Sequence, residues 1–268
     1  MTTLMAIGGA INIEEPAIFE EFIRRAGGKK ARILVLPQAS SLSNAGSGYS
    51  SWLKKLGARA ATALEFRDRY QADRSQHLEA LRKATGIFIT GGVQLRLTSL
   101  LGGTKFEREL LAAYRRGTVI AGTSAGAAVQ SRSMIADGRR GPTPRQGMAQ
   151  FSSGLGFTDR ILFDQHFRQR DRLGRLIYGV CMNPGALGVG VDENTAAIVE
   201  EDRLITVCGK HAITIVDGTS MRATNVPEVT NSHPIAASGL TIHVLTTGCS
   251  FDLKTRKAMI PRPALSKA

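Results

Sequence analysis

The 268-residue sequence has only three cysteines, Cys181, Cys208 and Cys249. Odd in number, widely spaced and without a CxxC pair, they exclude a disulfide framework and a structural zinc site. No apolar run approaches the roughly 20 residues that a membrane-spanning helix needs. The N-terminus, MTTLMAIGGA, has neither the basic region nor the apolar stretch of a secretory signal. A soluble cytoplasmic protein without a membrane partner is therefore expected. No Pro-, Ser- or Gly-rich linker and no internal repeat divides the chain, so a single domain spanning 1–268 is expected. Acidic residues are scarce: Lys+Arg 35 against Asp+Glu 22 leaves a net charge of +13, which favours acidic partners through the long-range field. Those charges are dispersed, aromatic residues are only 6%, and no nucleic-acid-binding motif appears, which argues against nucleic acid as the partner. What remains is ordinary globular material, 43% hydrophobic and 21% charged, enough for one core.

Along the first half, short apolar runs alternate with amphipathic stretches. Residues 5–7 read as a strand ended by Gly8 and Gly9. Residues 14–25 carry Ile18, Phe19, Phe22 and Ile23 at helical spacing, with Pro16 in the first turn and Gly27-Gly28 as a stop. Further strands are expected at 31–37, 60–66, 86–90 and 118–121, and helices at 49–56, 74–85, 94–101, 105–116 and from Ala125. This alternation implies a mainly parallel sheet covered on both faces, an α/β three-layer sandwich. Beyond about residue 185 the apolar segments 195–199, 204–207, 212–216 and 240–245 are separated by turn residues. They read as hairpins extending the sheet, giving a β-rich C-terminal part. Residues 137–153 carry no periodicity and read as a long loop, either a lid or a solvated connection.

The sharpest local pattern is Gly122-Thr123-Ser124-Ala125-Gly126 between the strand TVIA and the apolar AGAAVQ. This is the G-x-S-x-G elbow in its strand-turn-helix context, which presents a serine nucleophile and sets the Ala125 N–H to stabilise an oxyanion. The plain alternative is a Gly/Ser-rich turn packing a strand on a helix. Thr90-Gly91-Gly92 ends another strand at the same sheet edge, where ligand sites of open α/β sheets collect, and makes the Gly92 N–H a candidate second donor, a plain turn being the other reading of the same spacing. Of His77, His166, His211, His233 and His243, only His166 closes a strand beside other reactive groups, Asp164 and Gln165 in ILFDQHF. The segment GVGVDE ends in Asp192 and Glu193, and either acid suits the role of orienting an imidazole. Read as a helix, RQRDRLGRL puts Arg168, Arg172 and Arg175 on one face and Arg170 elsewhere. A solvated face is the usual meaning of such a run, although guanidinium forks also suit bidentate capture of a carboxylate.

Together, GIFITGGVQLRL, VIAGTSAGAAVQS, GLGF followed by ILFDQHFRQRDRLGRL, GVGVDENTAAIV and the late TGCSFDL resemble the cyanophycinase family of serine peptidases, whose wider family includes aspartyl dipeptidase. The DQHF block with its following arginines separates cyanophycinases from the dipeptidase branch. The resemblance implies a usually dimeric serine hydrolase on a mixed-sheet α/β sandwich, with no metal and no cofactor. Its substrate would be cyanophycin, a poly-aspartate with arginine on each β-carboxyl, cut to β-Asp-Arg dipeptides. It implies Ser124 as nucleophile, His166 as base and Glu193, rather than Asp192, as the acid. It further implies Gln94, Asp164, Gln165, Arg170 and Arg175 as substrate-pocket residues, with Arg168 and Arg172 solvated. Arg170 and Arg175 would hold aspartate carboxylates and Asp164 would meet the arginine branch. The order Ser, His, acid and the lack of an HGGG-type loop set the chain apart from α/β-hydrolase esterases. A related serine peptidase for small aspartyl or isoaspartyl dipeptides is the second reading.

Overall fold

The computed structural model describes residues 1–261. The chain runs through β1 (Thr3–Ile7), α1 (Ala17–Arg25), β2 (Arg32–Leu36), α2 (Ala45–Lys55), β3 (Ala60–Ala63) and α3 (Arg69–Ala72). It continues through α4 (Ser75–Lys83), β4 (Gly86–Ile89), α5 (Gln94–Leu101), α6 (Lys105–Arg115), β5 (Val119–Thr123) and α7 (Ala125–Ala128). The second half contains β6 (Ser133–Gly138), β7 (Ala149–Ser153), β8 (Ile161–Gln165), α8 (Leu173–Met182), β9 (Leu187–Val191), β10 (Thr195–Glu200) and β11 (Leu204–Gly209). After β12 (Ala212–Asp217) come the short β13 (Ala223–Thr224) and β14 (Ala237–Ser238), then β15 (Thr241–Thr246), β16 (Ser250–Asp252) and β17 (Lys257–Met259).

Nine strands form one mixed sheet in the order β17-β16-β11-β10-β1-β5-β4-β2-β3. Strands β1, β5, β4, β2 and β3 are parallel, as the strand and helix alternation predicts. From the other edge of β1 the sheet continues antiparallel through β10, β11, β16 and β17. Four further strands form a second sheet, β15-β12-β9-β8. The C-terminal hairpins expected to extend one sheet thus divide between two: 195–209 joins the first, while 212–217 and 241–246 join the second.

Side-chain alternation in the central strands fixes the layers. Met5, Ile7, Ile33, Val35, Phe88 and Ala121 face α1 and α2. There Phe88 meets Tyr49, Phe19 and Phe22 with ring centroids 4.8, 5.8 and 5.9 Å apart, and burying each such ring contributes about 1.5–3 kcal/mol. On the opposite face Leu4, Ala6, Leu36, Ile89 and Ile120 pack on α4 to α6 and on Val189, Val191, Ile213 and Ile215 of the second sheet. The outer face of that second sheet is closed by α8. Cys181 and Cys249 are buried and all three thiols are free.

Two segments depart from the pattern expected of them. Residues 137–153 are not one loop: β6 and β7 pair as an antiparallel hairpin with a register shift between Ile135 and Asp137. Its residues are mostly polar or half-exposed, so backbone ladder bonds build it where apolar alternation gives no signal. The helix expected from Arg168 begins only at Leu173. The chain first turns on itself, with Arg170 N–H donating to His166 O at 3.0 Å and Arg172 N–H to Phe167 O at 3.1 Å. Asp171 sits at φ +47°, which breaks helical continuity.

Candidate active site

Ser124 lies where β5 passes into α7, at φ +54° and ψ −113°. A non-glycine residue held there stores of order 1–3 kcal/mol of strain and persists because its surroundings impose it. Its N–H donates to Ile7 O at 2.9 Å, and Gly8, the residue that follows β1, accepts His166 N–H through its carbonyl at 2.7 Å. Gly9 O in turn accepts Asn194 N–H at 2.9 Å. The end of β1 therefore straps together residues from both sheets: Ser124 from the first, His166 and Glu193 from the second.

The three side chains meet across that seam. Ser124 Oγ lies 3.0 Å from His166 Nε2, and His166 Nδ1 lies 2.5 Å from Glu193 Oε1. Glu193 N–H donates to Gln169 Oε1 at 3.0 Å. Its neighbour Asp192 turns the other way, accepting the N–H groups of Arg168 at 3.1 Å and Ala212 at 3.4 Å. Burial pushes the His166 imidazole below its ordinary pKa of 6.5; the Glu193 hydrogen bond opposes that shift, while Arg170 and Arg172 add to it. The ring is consequently neutral near pH 7, with Nδ1–H directed to the carboxylate and Nε2 free to accept the serine proton.

Gly91 lies against Ser124, where a Cβ would be 3.2 Å from the serine Cβ. Among the described residues the N–H groups of Gly92 and Ala125 donate to no protein acceptor. Gln165 Oε1 lies 3.4 Å from Ser124 Oγ. Gln94 caps the neighbourhood from α5, its Nε2 donating to Ile135 O at 3.1 Å and Ala136 O at 2.6 Å, so it also ties down the β6–β7 hairpin.

The charged residues behind the histidine are arranged differently from expectation. Asp164, 1% exposed, and Arg175, 4% exposed, meet each other rather than solvent. Asp164 Oδ2 accepts Arg175 Nε at 2.6 Å, and Oδ1 accepts Arg175 Nη2 as well as Gln165 N–H at 2.8 Å. Arg172 was expected to be solvated, yet it is buried, with Nη1 directed to Gln165 O and to Asp164 at 3.4 Å. Burial, only partly offset by Asp164, pushes its pKa down to about 10. Two guanidiniums here share one carboxylate because the turn at 167–172 folds Arg172 inward beside Arg175. Arg168 and Arg170 remain exposed.

Sequence reasoning missed Gly8, Gly9 and Asn194. Gly8-Gly9 follows β1 as Gly91-Gly92 follows β4, and a paired glycine at the end of a parallel strand was the available signal. No group of three or more His, Cys, Asp or Glu side chains among the described residues is gathered as a metal ion requires. No helix among them is long and apolar enough to cross a membrane.

The mixed α/β scaffold is shared with solved structures. A peptidase from an acI-B1 actinobacterium superposes with a TM-score of 0.69 at 20% identity, covering 94% of this chain and 97% of that one. A putative peptidase E from Listeria monocytogenes shares the fold more loosely, with a TM-score of 0.54 at 15% identity over 78% of this chain and 99% of that one. The chain belongs to peptidase family S51, whose family model matches residues 4–207. Curated relatives include the cyanophycinase of Trichormus variabilis, 38% identical over 261 residues, spanning 96% of this chain and 88% of that protein. The cyanophycinase of Geminocystis herdmanii is 37% identical over 261 residues, 96% of each chain.

Proposed function

We propose that this peptidase is a serine exopeptidase that hydrolyses cyanophycin to β-Asp-Arg dipeptides through an acyl-enzyme. The observation that carries the reading is the unbroken hydrogen-bonded path from Ser124 Oγ through His166 to Glu193; the substrate class is supported by the likeness to cyanophycinases. Ser124 Oγ attacks the peptide carbonyl while its proton passes to His166 Nε2. The N–H groups of Gly92 and Ala125 receive the developing oxyanion. Collapse breaks the C–N bond, and His166 returns the proton to the leaving amine. Water, deprotonated by His166, then cleaves the ester and frees Ser124. General acid–base help of this kind contributes about 10²–10⁴-fold and one oxyanion donor about 10²–10³-fold.

In this reading Glu193 orients the imidazole and Gln165 lines the serine side of the pocket. Gln94 and Arg170 border the substrate, with Arg170 offering a cation to an aspartate carboxylate. Asp164 and Arg175 act from behind, fixing the 164–166 backbone that carries the histidine. The reading extends to a cytoplasmic homodimer, to be checked by light scattering and fractionation.

The test is incubation of purified protein with insoluble cyanophycin, following products by mass spectrometry, with Ser124→Ala as control. Release of β-Asp-Arg by the wild type alone is the expected result. A folded wild type that leaves the polymer intact overturns the substrate, and equal release by Ser124→Ala overturns the nucleophile.

A further inference from the structure

A cavity of about 450 Å³ opens on the rim of the first sheet, between the segment after β3 and helix α5. Gln38, Arg67, Asp68, Arg69, Tyr70 and Arg96 line it. The segment between the two places is short: Gly91 lies against Ser124, and two residues on Val93 N–H donates to Ala39 O, next to Gln38, at 2.9 Å.

Its chemistry is specific. Arg67, Arg69 and Arg96 are exposed, and among the described residues none of them is ion-paired. Arg69 is held in place by donating Nη1–H to Ser99 O at 2.8 Å. Gln38 is only 6% exposed; its Nε2 donates to Leu64 O at 2.5 Å, while its Oε1 has no partner. Tyr70, 91% exposed, offers an aromatic face to a cation. Asp68 has one oxygen engaged as the cap of α3, accepting Gln71 N–H at 2.7 Å. Free guanidiniums call for carboxylates, while Asp68 and the Tyr70 ring call for a cationic N–H donor. A group bearing both charges at short range satisfies the whole set.

We propose that this cavity is a second substrate-binding site, taking an arginyl-aspartyl unit of the polymer that lies away from the bond being cut. The inference rests on the proposed function for the identity of the polymer. The arginyl carboxylate is held between Arg67 and Arg96, and the arginyl guanidinium lies toward Tyr70 and Asp68. Long chains thereby engage two sites at once, raising their effective concentration at Ser124 without any change in the chemical step.

The experiment compares the wild type with the double variant Arg67→Ala, Arg96→Ala, both substitutions being of exposed side chains. Steady-state kinetics are measured on insoluble cyanophycin and on a two-unit fragment, (β-Asp-Arg)₂. In parallel, co-sedimentation with the polymer is measured for both proteins in a Ser124→Ala background. The expected result is a polymer KM raised about tenfold and co-sedimentation weakened to match, the equivalent of one or two charge-assisted hydrogen bonds. The two-unit fragment should be cleaved at an unchanged kcat/KM. Equal co-sedimentation of the two proteins, or an equal loss on both substrates, overturns the site. A wild type inactive on every cyanophycin substrate defeats the proposed function instead. Co-sedimentation then still decides the cavity, since it needs no turnover, and absence of binding by the Ser124→Ala protein overturns it.

Discussion

Gly9 presses its bare Cα against the His166 ring: a Cβ at that position would lie 2.2 Å from Cε1 and 2.5 Å from Nε2. The backbone there is at φ +104°, a conformation open to glycine and strained for any other residue. The imidazole is thus positioned from three sides, by Gly9 on its face, Ser124 at Nε2 and Glu193 at Nδ1.

Gly9→Ala should therefore displace the ring and lower kcat by at least about 100-fold, the scale expected for misplacing a catalytic group by roughly 1 Å. Circular dichroism and a thermal melt should show the protein still folded. Gly28→Ala is the control: it also has positive φ, +59°, but a Cβ there meets nothing within 4 Å. It should cost about 1 kcal/mol of stability and leave kcat alone.

The direction of the His166 shift sets the pH behaviour. With its folded pKa below 6.5, the acidic limb of kcat/KM should have its midpoint below pH 6.5. Arg170 is one of the cations that lowers it, so Arg170→Ala should move the limb to higher pH. For stability the unfolded chain binds the proton more readily, so the His166 contribution should weaken as pH falls from 6.5 through the folded value. A limb unmoved by Arg170→Ala would remove Arg170 from the electrostatics of the base.

Glu193 and Asp192 are adjacent acids with separate partners. Glu193→Gln should lower kcat by about 10²–10⁴-fold with little change in folding, since it removes the charge that stabilises the imidazolium. Asp192→Asn should retain one backbone hydrogen bond of two, costing about 1 kcal/mol in urea unfolding and leaving kcat within severalfold of the wild type.

Arg175→Met should remove the main partner of the Asp164 carboxylate, which is 1% exposed, leaving it the Gln165 N–H and the longer contact to Arg172 at 3.4 Å. A loss of about 3–5 kcal/mol is expected on urea denaturation. Adding Asp164→Leu to that variant should restore part of the loss, because the under-paired carboxylate is gone while Arg172 keeps Gln165 O as its acceptor. Additive losses in the double variant would show that the pair is not coupled.

Local chemistry made much of this protein legible in one dimension. Strand and helix periodicity from residue 3 to 123 foretells the five-stranded parallel half, because each element there buries one or both faces and its apolar spacing follows its own geometry. The strained serine turn is equally local: Gly122-Thr123-Ser124-Ala125-Gly126 must bend between strand and helix wherever it is placed.

What periodicity does not carry is the partner of each strand. Strands β9, β10 and β12 look alike in sequence, short, apolar and bounded by turns, yet β10 pairs with β1 while β9 and β12 build a separate sheet. Pairing is chosen by long-range packing, in this case the apolar face that β1, β5 and β10 offer to Val189, Val191, Ile213 and Ile215. The same limit hid the environment of the arginines. Arg168, Arg170, Arg172 and Arg175 are the same residue type within eight positions, and the turn through Asp171 decides which are buried.

The sequence by itself determined the residue types at the site, the elbow and the parallel half of the sheet, since all three follow from spacing within one segment. Residue spacing left Asp192 and Glu193 open and only the family resemblance favoured Glu193; tertiary structure decided which acid reaches the histidine, that Asp164 turns its charge to Arg175, and that the end of β1 joins two sheets at the seam. Each of those depends on which distant backbone arrives alongside, a relation held in three-dimensional packing and absent from neighbouring letters.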